Sequence, residues 1–224
     1  AQREVKTLQR AVPVEAGVVI TSTAPAMTLD ADLQATVATN AEMTAFEIAG
    51  LILNLAAEGE GLPSGGADLV LRADVVADTA AGTLSVDRLE FEGPALSATG
   101  KLAVQGLQTS PVAEGRLAIA ETNPKTLASM FAAPIETTDP DALTRAGGEV
   151  AFNYADGALR LDPLSLSLDD STLNGHVHLL DPAGPVVRIK LALDEIDLDR
   201  YLPPAGEGEA EAAPGAASPP AEDP

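Results

Sequence analysis

The chain has 224 residues, 46% of them hydrophobic but only 3% aromatic, with no Trp, no Cys and a formal net charge of −21. That length can bury one sizeable core, which must be aliphatic, and the missing cysteines exclude disulfides and thiolate metal sites. Thirteen Lys and Arg against 34 Asp and Glu exclude nucleic acid, whose phosphates need clustered cations, and argue against electrostatic docking on an anionic bilayer.

A start at AQREVKTLQ, with no initiator Met and no leader pattern, suggests a piece of a longer protein. No stretch reaches the roughly 20 apolar residues of a membrane-spanning helix; VEAGVVI and LILNLAA are strand-sized. Alternation with a period of two, the mark of half-buried strands, then runs through 67–78, 96–105, 112–120 and 173–180. Turn signals such as EGEGLPSGG, ADTAAG, LDDSTLNG and LDPAGP separate the runs. Ten or eleven strands in hairpin succession follow, hence antiparallel sheet. Two short helices are expected, NPKTLASMFAAP at 123–134 with an early Pro and DPDALTRAGG at 139–148 with an Asp cap and a glycine stop. EIDLDRYLPP adds at most one further turn before Pro203.

An internal repeat organises these strands. The pattern apolar-x-apolar-x-x-apolar-x-apolar occurs at Phe46, Ile48, Leu51, Leu53; at Leu84, Val86, Leu89, Phe91; and at Leu159, Leu161, Leu164, Leu166. Its phase flips each time in the middle, at Ala49-Gly50, Asp87-Arg88 and Asp162-Pro163, which calls for a bulge or a tight turn. At an offset of about 75 residues Gly100 matches Gly175, Leu102 matches Val177 and Val104 matches Leu179. Residues 1–204 therefore read as one repeated β-domain, with copies at roughly 82–134 and 157–204. Residues 205–224 read as an acidic Ala/Pro/Gly-rich disordered linker, with five acidic groups and no basic one.

The polar clusters have plain readings. His176 and His178 project from one strand face as two metal ligands could, but no third ligand is near and they read as a solvated face. Asp194, Glu195, Asp197 and Asp199 lack the spacing of a calcium loop and suit an acidic helix start. Asp169, Asp170, Ser171 and Thr172 are what a hairpin turn uses. No nucleophile elbow, phosphate loop or dinucleotide fingerprint is present, so no enzyme, no cofactor and no metal is expected.

The run LALDEIDLDRYLPP before an Ala/Pro/Gly/Glu-rich stretch resembles the closing motif of AsmA-family repeats in bacterial envelope proteins. LRLDPLSLSLDDSTLNGHVHL and the segment from GLPSGGADLVLRADVV to LAVQG are similar to that family's strand units, over about residues 27–204. The resemblance implies a mainly β fold of repeated antiparallel units forming a curled, groove-like sheet, with two or three short helices. It also implies a periplasmic location, an inner-membrane anchor outside this chain, and a groove that carries phospholipid acyl chains in outer-membrane biogenesis. The groove candidates are Leu164, Leu166, Val177, Leu179, Val187, Ile189, Leu191 and Leu193. The alternative is a structural or interaction β-sandwich that aids envelope assembly without binding lipid.

Overall fold

The computed structural model describes residues 8, 11–59, 62, 66–131, 133–180 and 186–204. Eleven strands make one antiparallel sheet in which each strand pairs only with its sequence neighbours. They are β1 (Val12–Thr23), β2 (Ala26–Thr39), β3 (Ala45–Gly59), β4 (Ala67–Asp78), β5 (Thr83–Glu92) and β6 (Ser97–Gln105). The order continues with β7 (Val112–Thr122), helix α1 (Pro124–Met130), β8 (Ala146–Ala155), β9 (Ala158–Leu168), β10 (Ser171–Leu180) and β11 (Val186–Leu193). A 3-10 turn, Leu198–Tyr201, follows. The expected linker at 205–224 and the turn at LDPAGP fall largely outside the described residues.

Local chemistry accounts for the connections. The buried Asn40 accepts the amides of Thr44 and Ala45 at 2.8 and 2.9 Å, which closes the β2–β3 loop. Asp156 and Gly157 both take positive φ, as a two-residue hairpin turn requires. Asn123 caps α1 by accepting from the Thr126 amide at 3.0 Å, with Pro124 at the first helical position. The helix expected at 139–148 does not form. Leu143 takes φ +56°, the carboxylate of Asp169 draws off the amides of Leu143, Thr144 and Arg145, and β8 has begun by Ala146.

All three phase flips in the sequence are register shifts in the sheet. Ala49-Gly50 oppose the single Asp74, Asp87-Arg88 oppose Lys101, and Asp162-Pro163 oppose Ala151 and His176. These three bulges fall in one line across the sheet. A fourth, Ala120-Glu121 opposite Gly147, lies nearer the α1 end and left no phase flip in the aliphatic pattern. Each bulge puts its extra length on the charged side of the sheet, so its strand bends toward the other side. The successions β5-β6-β7-α1 and β9-β10-β11-turn share this plan, with the bulge in the first strand of each.

One layer is all there is among the described residues. The buried hydrophobic residues are five alanines, Ala38, Ala45, Ala73, Ala142 and Ala158, and no large side chain is fully buried. Two stacked sheets would bury Leu, Val and Ile between them. A sandwich is therefore not the architecture of the described residues; they form a single open sheet whose aliphatic side is left uncovered.

Candidate apolar binding face

Cross-strand partners share a face, so the registers sort every strand residue to one side or the other. One row runs Val12, Val37, Ile48, Val75, Val86, Leu102, Gly115, Phe152, Leu161, Val177, Ile189 through all eleven strands without a polar member. Parallel rows on the same side include Leu33, Leu53, Leu71 and Phe91, and Leu117, Val150, Leu164 and Leu191 by way of Gly175. Within the strands this side carries no charged residue; its hydroxyls, such as Ser22, Thr39, Thr122 and Ser171, sit at strand ends. The bulges make this possible: without the extra residue at 162–163, Leu159 and Leu161 would face opposite to Leu164 and Leu166.

The charges gather on the other side. Asp74, Arg88, Lys101, Arg116, His176 and Lys190 lie along the line of bulges. Arg88 pairs with Asp74 at 3.1 Å and Arg72 with Glu92 at 2.8 Å. Asp87, Lys101, Arg116 and Glu149 line a shallow hollow of about 260 Å³ there. The apolar side instead holds a cavity of about 540 Å³, with Leu96, Ile119, Leu166, Leu173, Leu193 and Ile196 among its walls. Leu96 precedes β6 and Leu193 ends β11, five strand spacings of about 4.8 Å away in a flat sheet. Their sharing of one cavity accords with a sheet that is concave on its apolar side.

All eight candidates from the sequence fall on this apolar face, with Val177 opposite Leu161 and Ile189, Leu179 opposite Leu159 and Val187, and Leu173 joining Leu166 to Leu193. Ile189 is 61% exposed and Leu191 43%, because β11 is an edge strand, whereas Leu164, Val177 and Leu179 are half-buried. The candidates omitted the larger part of the face, contributed by β1 to β8. The same alternation and phase flips mark those strands, and following the flip at Ala49-Gly50 places Leu53 and Leu55 beside Phe46 and Ile48.

Smaller features shape the floor. Phe152 lies over Gly115, whose missing Cβ would come within 2.5 Å of the ring, and Leu166 lies over Gly148 in the same way at 2.8 Å. Larger residues at these positions would lift the aromatic and aliphatic side chains off the sheet.

The segment 194–204, which the sequence marked as distinctive, lies at the strand ends beside the apolar cavity, with Ile196 in its wall. Asp194 accepts the amides of Thr172 and Glu195 at 2.7 and 2.6 Å, and these bonds hold its carboxyl below the usual range. Arg200 bonds Asp139 at 2.6 Å and reaches Asp170 at 3.4 Å. Thr138 and Leu202 are joined backbone to backbone at 2.7 Å. Tyr201 bonds Asp169; burial first, and then this bond, raises its hydroxyl above the ordinary value. Two of the acidic residues of DEIDLD thus serve as caps: Asp197 accepts from the Asp199 amide and Asp194 from the Thr172 amide.

His176 and His178 stack with ring centroids 4.7 Å apart on the charged side. His178 Nε2 is 3.7 Å from Asp162 and has no hydrogen-bond partner. Among the described residues no three His, Asp or Glu are placed to hold a metal ion, and no helix is long and apolar enough to cross a membrane. Comparison with protein-family models, curated proteins and solved structures finds no match to this chain.

Proposed function

We propose that this chain is an AsmA-like groove segment of the bacterial envelope, which holds phospholipid acyl chains against its apolar face and supports lipid passage from inner to outer membrane in the periplasm. The observation that carries this reading is the uncharged face that runs through all eleven strands with no second layer over it among the described residues. An exposed apolar surface of this extent on a soluble domain marks a binding site. Acyl chains suit it because the attraction is non-directional, at about 0.8 kcal/mol per buried methylene, and asks for no placed donor or acceptor. The charged back of the sheet keeps such a surface soluble. No catalytic group enters this account.

The test is mass spectrometry of organic extracts from the purified chain. Co-purifying phospholipid, lost when Leu117→Asp and Leu164→Asp are introduced into a chain that stays folded, is the expected result. A lipid-free chain that also takes up no lipid from vesicles contradicts the proposal. A second reading, an interaction module that binds no lipid, is favoured by the edge of β11, which no described strand pairs and where every residue is exposed.

A further inference from the structure

β11 pairs with β10 alone among the described residues, and all eight of its residues are exposed. Its counterpart one repeat earlier is covered. Arg116-Leu117-Ala118-Ile119 of β7 matches Lys190-Leu191-Ala192-Leu193 of β11, 74 residues later. On its outer edge β7 carries β8, with Leu117 opposite Val150, Ile119 opposite Gly148 and Gly115 opposite Phe152. Among the described residues, the backbone groups that β8 satisfies on β7 are left on β11 as an unpaired row, a template for strand addition.

Charge then selects the partner. On the charged side β7 presents Glu114 and Arg116, which β8 meets with Asn153 and Ala151, and Glu149 lies opposite Ala118. The same two positions on β11 are Arg188 and Lys190. Behind them in register stand His178 and His176, and Arg160 lies opposite His178 on β9. Among the described residues Arg160, Arg188 and Lys190 make no ion pair. In a chain of net charge −21 this corner is locally basic. Antiparallel self-pairing of two β11 edges with apolar faces matched would set Arg188 and Lys190 of one copy against those of the other, and like charges across a strand pair are destabilising.

We propose that the outer edge of β11 is a docking site for an acidic β-strand of a partner polypeptide. It lies antiparallel, continues the apolar face opposite Val187, Ile189, Leu191 and Leu193, and sets carboxylates opposite Arg188 and Ala192, on either side of Lys190. The β7–β8 register supplies the template: the partner residue opposite Leu191 takes the place of Val150, and those opposite Arg188 and Ala192 take the places of Asn153 and Glu149.

A fluorescent peptide with the β8 sequence 146–155 and Asn153→Glu, titrated against the full chain and followed by anisotropy, tests this. A second peptide carries Glu149→Lys and Asn153→Lys. The chain is used as it stands and as the double variant Arg188→Glu/Lys190→Glu, both positions being exposed; circular dichroism checks that the sheet is retained. The expected result is at least a tenfold preference of the unaltered chain for the acidic peptide, and reversal of that preference in the double variant. Equal affinity for the two peptides, no binding of either, or a preference that ignores the reversal overturns the proposal. The outcome for lipid is read separately, because the peptides and the double variant change only charges on the side of the sheet opposite Val187, Ile189, Leu191 and Leu193.

Discussion

Arg200 donates its Nε to Asp139 at 2.6 Å and so ties the end of the described chain to a loop 61 residues earlier. The same loop and segment are joined by Thr138, whose amide and hydroxyl both donate to the Leu202 carbonyl, at 2.7 and 3.0 Å. Arg200→Ala removes the charged half of this clamp. Hydrogen exchange at the Thr138 amide is expected to speed up severalfold, while exchange at Val150, inside the sheet, stays unchanged. Equal acceleration at both would mean that the clamp supports the whole sheet and not its end.

Asp169 is the hub of the same end. Burial works against its ionisation, but the amides of Arg145, Leu143 and Thr144 and the Tyr201 hydroxyl outweigh that and hold the carboxyl below its ordinary value of 3.8. A lowered carboxyl contributes stability that is fully present above 3.8 and is lost as the pH falls below it toward the native value. Asp169→Ala is expected to cost about 1–2 kcal/mol at pH 7, given the partial exposure of the site. Denaturant titrations should show the gap between the two proteins narrowing from pH 4 downward. Tyr201 has the opposite sign: its raised value gives stability present below 10 that fades as the pH climbs above it. Tyr201→Phe should therefore flatten the alkaline side of the stability curve.

The bulge at Ala49-Gly50 depends on one backbone conformation. Gly50 has φ +59°, donates its amide to Asp74 at 2.7 Å and has open space where a Cβ would stand. Gly50→Ala therefore meets no clash, and the backbone alone sets its cost at about 1–2 kcal/mol. Gly50→Asn, which tolerates this region better, should cost less. Identical denaturation midpoints for the two variants would show that the bulge relaxes to another geometry.

Much of this fold is visible in the residues. Alternation marks most strands, and the three phase flips mark three of the four bulges, because an extra residue is the simplest way to keep aliphatic side chains on one side. The fourth, at Ala120-Glu121, escaped because the pattern ends there with Thr122 and no apolar residue records the change of phase. The false helix at 139–148 had a sound cap and stop of its own; it is undone by Asp169, more than twenty residues away, whose carboxylate claims the amides that a helix would have used. No local rule anticipates that. The eight candidate residues were found on the strands where the repeat was clearest. The face as a whole needed the registers, since only pairing shows that Val37, Val86 and Phe152 belong with Ile189.

Leu117 and Arg116 are neighbours on the central strand β7 and point to opposite sides, Leu117 into the apolar row beside Val150 and Arg116 beside Lys101 on the charged back. Both are exposed, so a photo-reactive residue fits at either without displacing a core. Irradiation of each variant in bacteria, followed by mass spectrometry of the purified chain, asks directly whether the apolar face holds lipid. Phospholipid adducts from position 117 and none from 116 are the predicted result. Equal labelling from both positions, or none from 117 in a folded chain, would contradict the account.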